Sequence, residues 1–310
     1  MSSALMPAPL AQSIHGSVCV GANVYYWGFD EQALLLREGV RTWAREARQR
    51  QLAHTFWYVL YDARGPHVTL FFHTEPGKEE ILIKFLERSI SDFLQQSPSG
   101  AALAEADLIQ RHRACRGRTM CAGDHTAGLA QNNSYLLFSQ VANESLLDIA
   151  RGSKNTNRFW NCMDRLAFWT LDSRETSPVP GAVRWIAAVD YALHRLGICA
   201  AEYWHYHATT LLLGLAERFP SSSSTAASWL QNAVGAKNIT LFSAQWNAAA
   251  ADRMGFNVQE LLEIIQQDFQ PSPSEQYSIL REINHVVLSR LGLWTKFEIP
   301  LVLYAWQRNL

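Results

Sequence analysis

The sequence predicts an α+β protein: a small N-terminal sheet with covering helices, followed by a largely helical C-terminal portion in the same domain. Three observations carry this reading. The stretch from Thr55 to Thr74, TFWYVLYDARGPHVTLFFHT, places two apolar, β-branched and aromatic runs on either side of Asp62-Ala63-Arg64-Gly65-Pro66. Gly and Pro supply turn chemistry, so the stretch reads as a hairpin of two largely buried strands. Helix-period segments flank that hairpin, and beyond residue 130 nearly every periodic segment is helical. At 310 residues the chain can form one large domain or two of ordinary size, and 48% apolar residues can fill a sizeable core. We expect one domain over residues 15–310, with the sheet in 15–96 and the helices in 130–310, behind a flexible terminus at 1–14.

Taken in order, Val18 to Trp27 has strand composition with a Gly break. Asp30 to Gln51 follows as an amphipathic helix, with Leu34, Leu35, Val40 and Trp43 on one side and Arg37, Arg41, Arg45 and Arg48 on the other. The arginine row reads as a solvated face or as a phosphate contact. In the hairpin, His67 sits where the second strand leaves the turn, either as a hydrogen-bonded core histidine or as a site residue. Lys78 to Leu94 is a second helix, with Ile81, Leu82, Phe85, Leu86, Ile90 and Phe93 as its stripe. From Ser97 to Ala130 periodicity fades into a basic loop holding Arg111, His112, Arg113, Arg116 and Arg118. Such a loop fits either solvent or an acidic peptide or RNA.

Asn133 to Ala150 reads as a helix with Leu136, Leu137, Val141, Leu146 and Leu147 inward. Residues 158–172 and 182–196 are two more, separated by the breaker Ser177-Pro178-Val179-Pro180-Gly181, with Gly197 as a stop. Glu202 to Phe219 opens on Tyr203, Trp204, His205, Tyr206 and His207. Its two histidines are two apart and diverge on a helix, so we expect no metal there. Ser221 to Ser224 is a break, Ala226 to Phe269 is helical with interruptions, and Pro271-Ser272-Pro273-Ser274 is a linker. Two helices, SEQYSILREINHVVLSRLGL and KFEIPLVLYAWQRN, close the chain.

The net charge of −1 gives no global case for binding DNA or an acidic membrane. Five cysteines (Cys19, Cys115, Cys121, Cys162 and Cys199) are odd in number and lack a CxxC pair, which argues against a disulfide framework and a zinc site and for a reducing cytoplasm. Neither a signal peptide nor a membrane-length apolar run is visible. Eleven Trp, ten Tyr and fourteen Phe suggest an aromatic-lined cavity as well as a core.

Four phrases, in order, resemble the stand-alone C-terminal module of lantibiotic-dehydratase-like proteins, the thiopeptide-type bacteriocin biosynthesis family. They are Tyr25-Tyr26-Trp27 ahead of the Asp30 helix; the hairpin FWYVLYDARGPHVTLFF, similar to the family's fFiRYxdpGPHLRLRF; the Asn133 to Ala150 segment; and INHVVLSRLGLWTKFEI, similar to HmhxNRLgixxxxE. The resemblance implies work on a ribosomally made peptide without metal or redox cofactor. One branch of the family eliminates glutamate from glutamylated Ser or Thr; the other joins two dehydroalanines in a formal aza-[4+2] cycloaddition, aromatises the ring to a pyridine and expels the leader. Two arginines of HLRLR fall on Thr69 and Phe71 here, and the family's YxxExxRYGG segment is not found. Elimination needs a base and cationic donors for the departing carboxylate, so these departures weigh against it and leave cyclisation or an unrecognised variant. A non-catalytic leader-binding module is a further reading.

The resemblance implies a site of His285, Arg290 and His67, with Ser289 in the family's Asn position and Glu298 in its acidic one. His285 is expected to transfer protons, Arg290 to orient a peptide carbonyl near the rim, and His67 to position, all in one pocket between hairpin and C-terminal helix. Arg116 and Arg118 of the basic loop, with Tyr26, Trp27, Ser289 and Glu298, are expected to bind peptide. Expected partners are a leader-bearing precursor peptide, other biosynthetic enzymes and a second copy of the chain.

Overall fold

The hairpin forms as its composition dictates. In the computed structural model β2 (Thr55–Tyr61) and β3 (His67–Thr74) pair antiparallel with Thr55 opposite His73 and Tyr61 opposite His67. The structure describes residues 18–61, 64–102, 129–139, 156–173, 178–218, 246, 254–269, 272–291 and 295–310. They divide into two compact units, the first holding the described residues up to 173 and the second those from 178 onward.

In the first unit, β1 (Val18–Tyr25) pairs with β3, and a short β4 (Ser134–Phe138) pairs with β1, giving an antiparallel sheet of order β2-β3-β1-β4. Side chains alternate between faces. Val20, Ala22, Val24, Tyr58, Leu60, Val68, Leu70 and Phe72 make one apolar, buried face. There α3 (Glu79–Gln96) packs, its Ser91 hydroxyl 2.9 Å from that of Tyr135. Of the predicted stripe, Leu82, Phe85, Leu86 and Ile90 are buried, whereas Ile81 is exposed, because it falls between the rows that face the sheet. The opposite face carries Asn23, Tyr25, Trp57, Tyr61, His67, Thr69, Phe71 and His73.

Here the strand β4 corrects the helix expected over 133–150. Within SYLLF, Tyr135 and Leu137 alternate with Leu136 and Phe138, and pairing with β1 overrides the helical reading. Gly21, opposite Phe138, makes the pairing possible: a Cβ there would come within 2.2 Å of the Phe138 ring. Residues 140–150 lie outside the described residues. The predicted helix from Asp30 is α1 (Phe29–Leu34), a π-helical turn (Leu35–Val40) and α2 (Arg41–Gln49) in succession.

Sheet edge β2 is covered by α4 (Thr156–Ser173). Asp164 accepts the Phe56 backbone N–H at 2.9 Å, and the Tyr58 and Thr170 hydroxyls lie 3.0 Å apart. Covering an edge in this way removes a template for intermolecular pairing. The arginine row of α2 is not a merely solvated face: Arg41 and Arg45 reach Asp172 at 2.8 and 3.3 Å, and Arg48 bonds Asp164 while lying over the Phe168 ring.

The second unit is helical: α5 (Pro178–Arg195), α6 (Ala200–Arg218), α7 (Met254–Ile264) continued by a π-helical turn (Ile265–Phe269), α8 (Pro273–Arg290) and α9 (Thr295–Arg308). α7 packs on α5, α8 on α6, and α9 on both α5 and α6. Both proline-rich breakers prove to be helix starts. Pro178 opens α5, and Pro273 follows an Ser272 N-cap whose capping box with Glu275 is complete. Proline suits a first turn, where its missing N–H costs nothing. Gly197 ends α5 as expected, with φ of 69° and Ile198 donating to the Leu193 carbonyl at 2.9 Å. Among the described residues no helix is long and apolar enough to cross a membrane.

Because Asp164 satisfies a buried strand N–H, Asp164→Ala is expected to cost about 1–3 kcal/mol in urea unfolding. Asp164→Asn keeps an acceptor and should cost less; equal losses would place the effect in the Arg48 ion pair instead.

Candidate functional site

A carboxylate cannot be buried alone, and Glu298 shows how this chain solves the problem. The first turn of α9 places it at 0% exposure, and two facing histidines close around it. From α8, His285 donates Nδ1–H to Glu298 Oε2 at 2.8 Å; from α6, His207 donates Nε2–H to Oε1 at 3.0 Å. Burial alone would raise the Glu298 pKa, yet the His285 charge and the two imidazole bonds outweigh it and hold the carboxyl well below the usual carboxylate range. For His207 burial wins, lowering its pKa despite the carboxylate, so it is neutral.

Neutral His207 with Nε2–H committed has an accepting Nδ1, which faces the Tyr203 hydroxyl at 3.4 Å. Tyr203 and His207 are four apart and share one face of α6. The Tyr203 oxygen takes a hydrogen bond from Asn284 Nδ2. Asn284 Oδ1 accepts from Trp185 Nε1 of α5 at 2.7 Å, and because an indole nitrogen only donates, the amide orientation is set. Burial, reinforced by the Glu298 charge, pushes the Tyr203 pKa well up, so its proton stays on. Tyr203, His207 and Asn284 are fully buried, whereas His285 keeps 20% side-chain exposure. His285 is thus the member of the cluster open to solvent, and with Nδ1–H turned to Glu298 its Nε2 is the nitrogen left to exchange a proton.

Of the residues the sequence assigns to a site, the structure brings His285 and Glu298 together. Ser289 is 4% exposed and donates to the Val286 carbonyl of its own helix at 2.8 Å. Arg290 corrects the expectation of a rim position, for it is 0% exposed. Five residues beyond His285 it points roughly 140° around the helix, away from the half-open histidine. His67 belongs to the first unit, so the pocket expected to join it to His285 would span two units, and nothing within either unit bears on it. There His67 donates Nδ1–H to the Gly65 carbonyl at 2.9 Å and packs 4.7 Å from the Tyr25 ring. Tyr26 is buried and donates its hydroxyl to the Ser97 carbonyl. The Trp27 backbone is held by Asn132 and Ser99, with its indole against Gly65. Arg116 and Arg118 lie outside the described residues, although both ends of their loop are tied down: Asn133 accepts from the Ser99 N–H, and Ala130 donates to the Arg64 carbonyl.

Sequence reasoning missed His207, Tyr203 and Asn284. It weighed His207 only against His205, which does diverge and packs on Trp306. The available signal was the Tyr203/His207 spacing on one helical face. Among the described residues no group of three or more His, Cys, Asp or Glu could hold a metal ion.

Stability should carry the mark of this cluster. A carboxyl with a lowered folded pKa contributes stability above its ordinary value, about 4.3, that is lost as pH falls below it. Neutral buried His207 acts with the same sign, starting near pH ~6.5. Unfolding free energy measured down to pH ~3 should therefore fall less steeply below about 4.3 in Glu298→Gln than in wild type. Parallel curves would mean that Glu298 is not the group being protonated.

No protein-family model and no curated protein matches the sequence. Among solved structures, the pyridine synthase TbtD from thiomuracin biosynthesis aligns with a TM-score of 0.68 at 17% identity, covering 94% of this chain and 97% of that one. The tRNA-dependent lantibiotic dehydratase MibB from Microbispora sp. 107891 aligns at 14% identity and a TM-score of 0.47 over 99% of this chain and 29% of its own. The chain has the fold of a thiopeptide pyridine synthase, the fold implied by the resemblance of its sequence to lantibiotic-dehydratase-like proteins.

Proposed function

We propose that this protein modifies a ribosomally made precursor peptide by joining two dehydroalanines in a formal aza-[4+2] cycloaddition, then aromatises the ring and releases the leader. The observation that carries the proposal is the half-open His285, backed by a buried carboxylate, in a fold aligned over nearly the whole of both chains with a pyridine synthase. The reaction needs one amide to shift to its iminol form, a proton leaving nitrogen and another arriving at oxygen. An imidazole whose Nδ1–H is anchored can accept and return that proton at Nε2, and the Glu298 carboxylate stabilises the imidazolium that forms. The same group can assist departure of water and then of the leader amide as the ring becomes aromatic. Holding both alkenes in register supplies the larger part, about 7–11 kcal/mol.

Glutamate elimination is disfavoured by the positions where the family pattern has arginine. Thr69 is 3% exposed and donates to Asn23 Oδ1 at 2.9 Å, and Phe71 stacks on Trp57 at 4.0 Å. Both serve packing, and neither offers charge to a departing carboxylate.

With its cognate precursor bearing two dehydroalanines, the protein should release leader and water and leave a pyridine detectable by mass. His285→Ala should lower kcat by about 10²–10⁴ with leader affinity retained. A variant that changes affinity alone would point to a leader-binding module, and conversion of a glutamylated peptide would restore the elimination reading.

A further inference from the structure

We infer that His207 is a positioning residue for His285: through Glu298, the buried chain Trp185–Asn284–Tyr203–His207 locks the reactive imidazole in its Nδ1–H tautomer. The inference rests on the reaction proposed above for its catalytic meaning, while its structural content stands on the hydrogen bonds alone.

The chain has one direction throughout. Trp185 can only donate, so Asn284 must present oxygen to it and nitrogen to Tyr203. Tyr203, already accepting, gives its own proton to His207 Nδ1, which leaves His207 its Nε2–H for Glu298. Ionised Glu298 only accepts, so His285 donates to its other oxygen; without the His207 N–H the buried carboxyl would take up a proton and could itself donate to His285 Nδ1. Reversing any one link between Trp185 and His207 would place two donors or two acceptors face to face in the buried interior, a loss that burial makes large. Each element of the unit that touches His285's environment thereby contributes to the choice of its tautomer. The charged and titratable groups facing His207 are Glu298 from α9, Arg281 and His285 from α8, and Tyr203 from its own helix. From α5, Asp190 is committed to the Trp204 indole at 2.7 Å, and Trp204 stacks parallel to His207 at 6.1 Å. His207 therefore has the Trp204 ring near one face in addition to the hydrogen bonds at its edges.

Two variants separate positioning from simple packing. His207→Gln keeps an N–H for Glu298 at about the position of Nε2, whereas His207→Leu fills the space without a donor. Wild type and both variants would be labelled with ¹⁵N-histidine, and the His285 ring shifts read by NMR on folded protein. Nδ1–H should predominate in wild type and in His207→Gln and give way to a tautomer mixture in His207→Leu. In the peptide assay, His207→Leu should lose roughly 10–100-fold in kcat with KM nearly unchanged, and His207→Gln should recover most of it. An unchanged His285 tautomer in folded His207→Leu overturns the inference, whatever the activity. A tautomer that responds in a protein unable to convert any dehydroalanine peptide would uphold the positioning and remove the proposed reaction.

Discussion

One buried negative charge organises the helical unit. Glu298 has no exposure to water, and an isolated carboxylate in such a place would take up a proton rather than remain ionised. It stays charged because α6 and α8 each bring an imidazole N–H to one of its oxygens. That requirement fixes more than a local contact. His207 and Tyr203 must lie on the face of α6 turned toward α9, and His285 must share its turn of α8 with Asn284. Ion pairs at such depth stabilise little relative to an apolar core, but breaking one by removing a partner is severe. The arrangement therefore specifies one packing of these helices more than it deepens the energy well.

The sheet unit applies the same rule with a different acid. Asp164 on α4 is largely buried and joins two elements by accepting the Phe56 N–H of β2 and the Arg48 guanidinium of α2. Burial pushes its pKa up, and the arginine and strand bonds only partly offset that. Here the acid serves the backbone, closing a sheet edge, with no solvent-reachable histidine attached. The contrast separates a structural buried carboxylate from one that presents a titratable group to solvent.

The hairpin, its register-setting turn and most helices were legible because each is announced locally. Gly65 and Pro66 mark the turn, and Gly197 marks a helix end. Misreadings came where the deciding partner was distant. Ser134 to Phe138 looks helical until Gly21, more than a hundred positions earlier, supplies room for Phe138 on the neighbouring strand. Pro178 and Pro273 read as breakers, since sequence alone does not reveal on which side of a proline the helix lies. His285 and Glu298 were found through resemblance, thirteen residues apart. His207, ninety-one residues from its acid, was passed over because a buried histidine advertises neither its partner nor its tautomer.

Two strand positions of the first unit bear on the reaction we propose. Where the family pattern places arginines, Thr69 is hydrogen-bonded to Asn23 and Phe71 lies against Trp57, both buried. An elimination site must carry positive charge for the carboxylate it expels, and these residues supply none. A cycloaddition of two neutral alkenes has no such demand. It calls for apolar walls, a restricted approach and one group able to move a proton, the role we propose for His285 backed by Glu298. Packing without charge at these two strand positions is what the proposed reaction, which expels no carboxylate, allows.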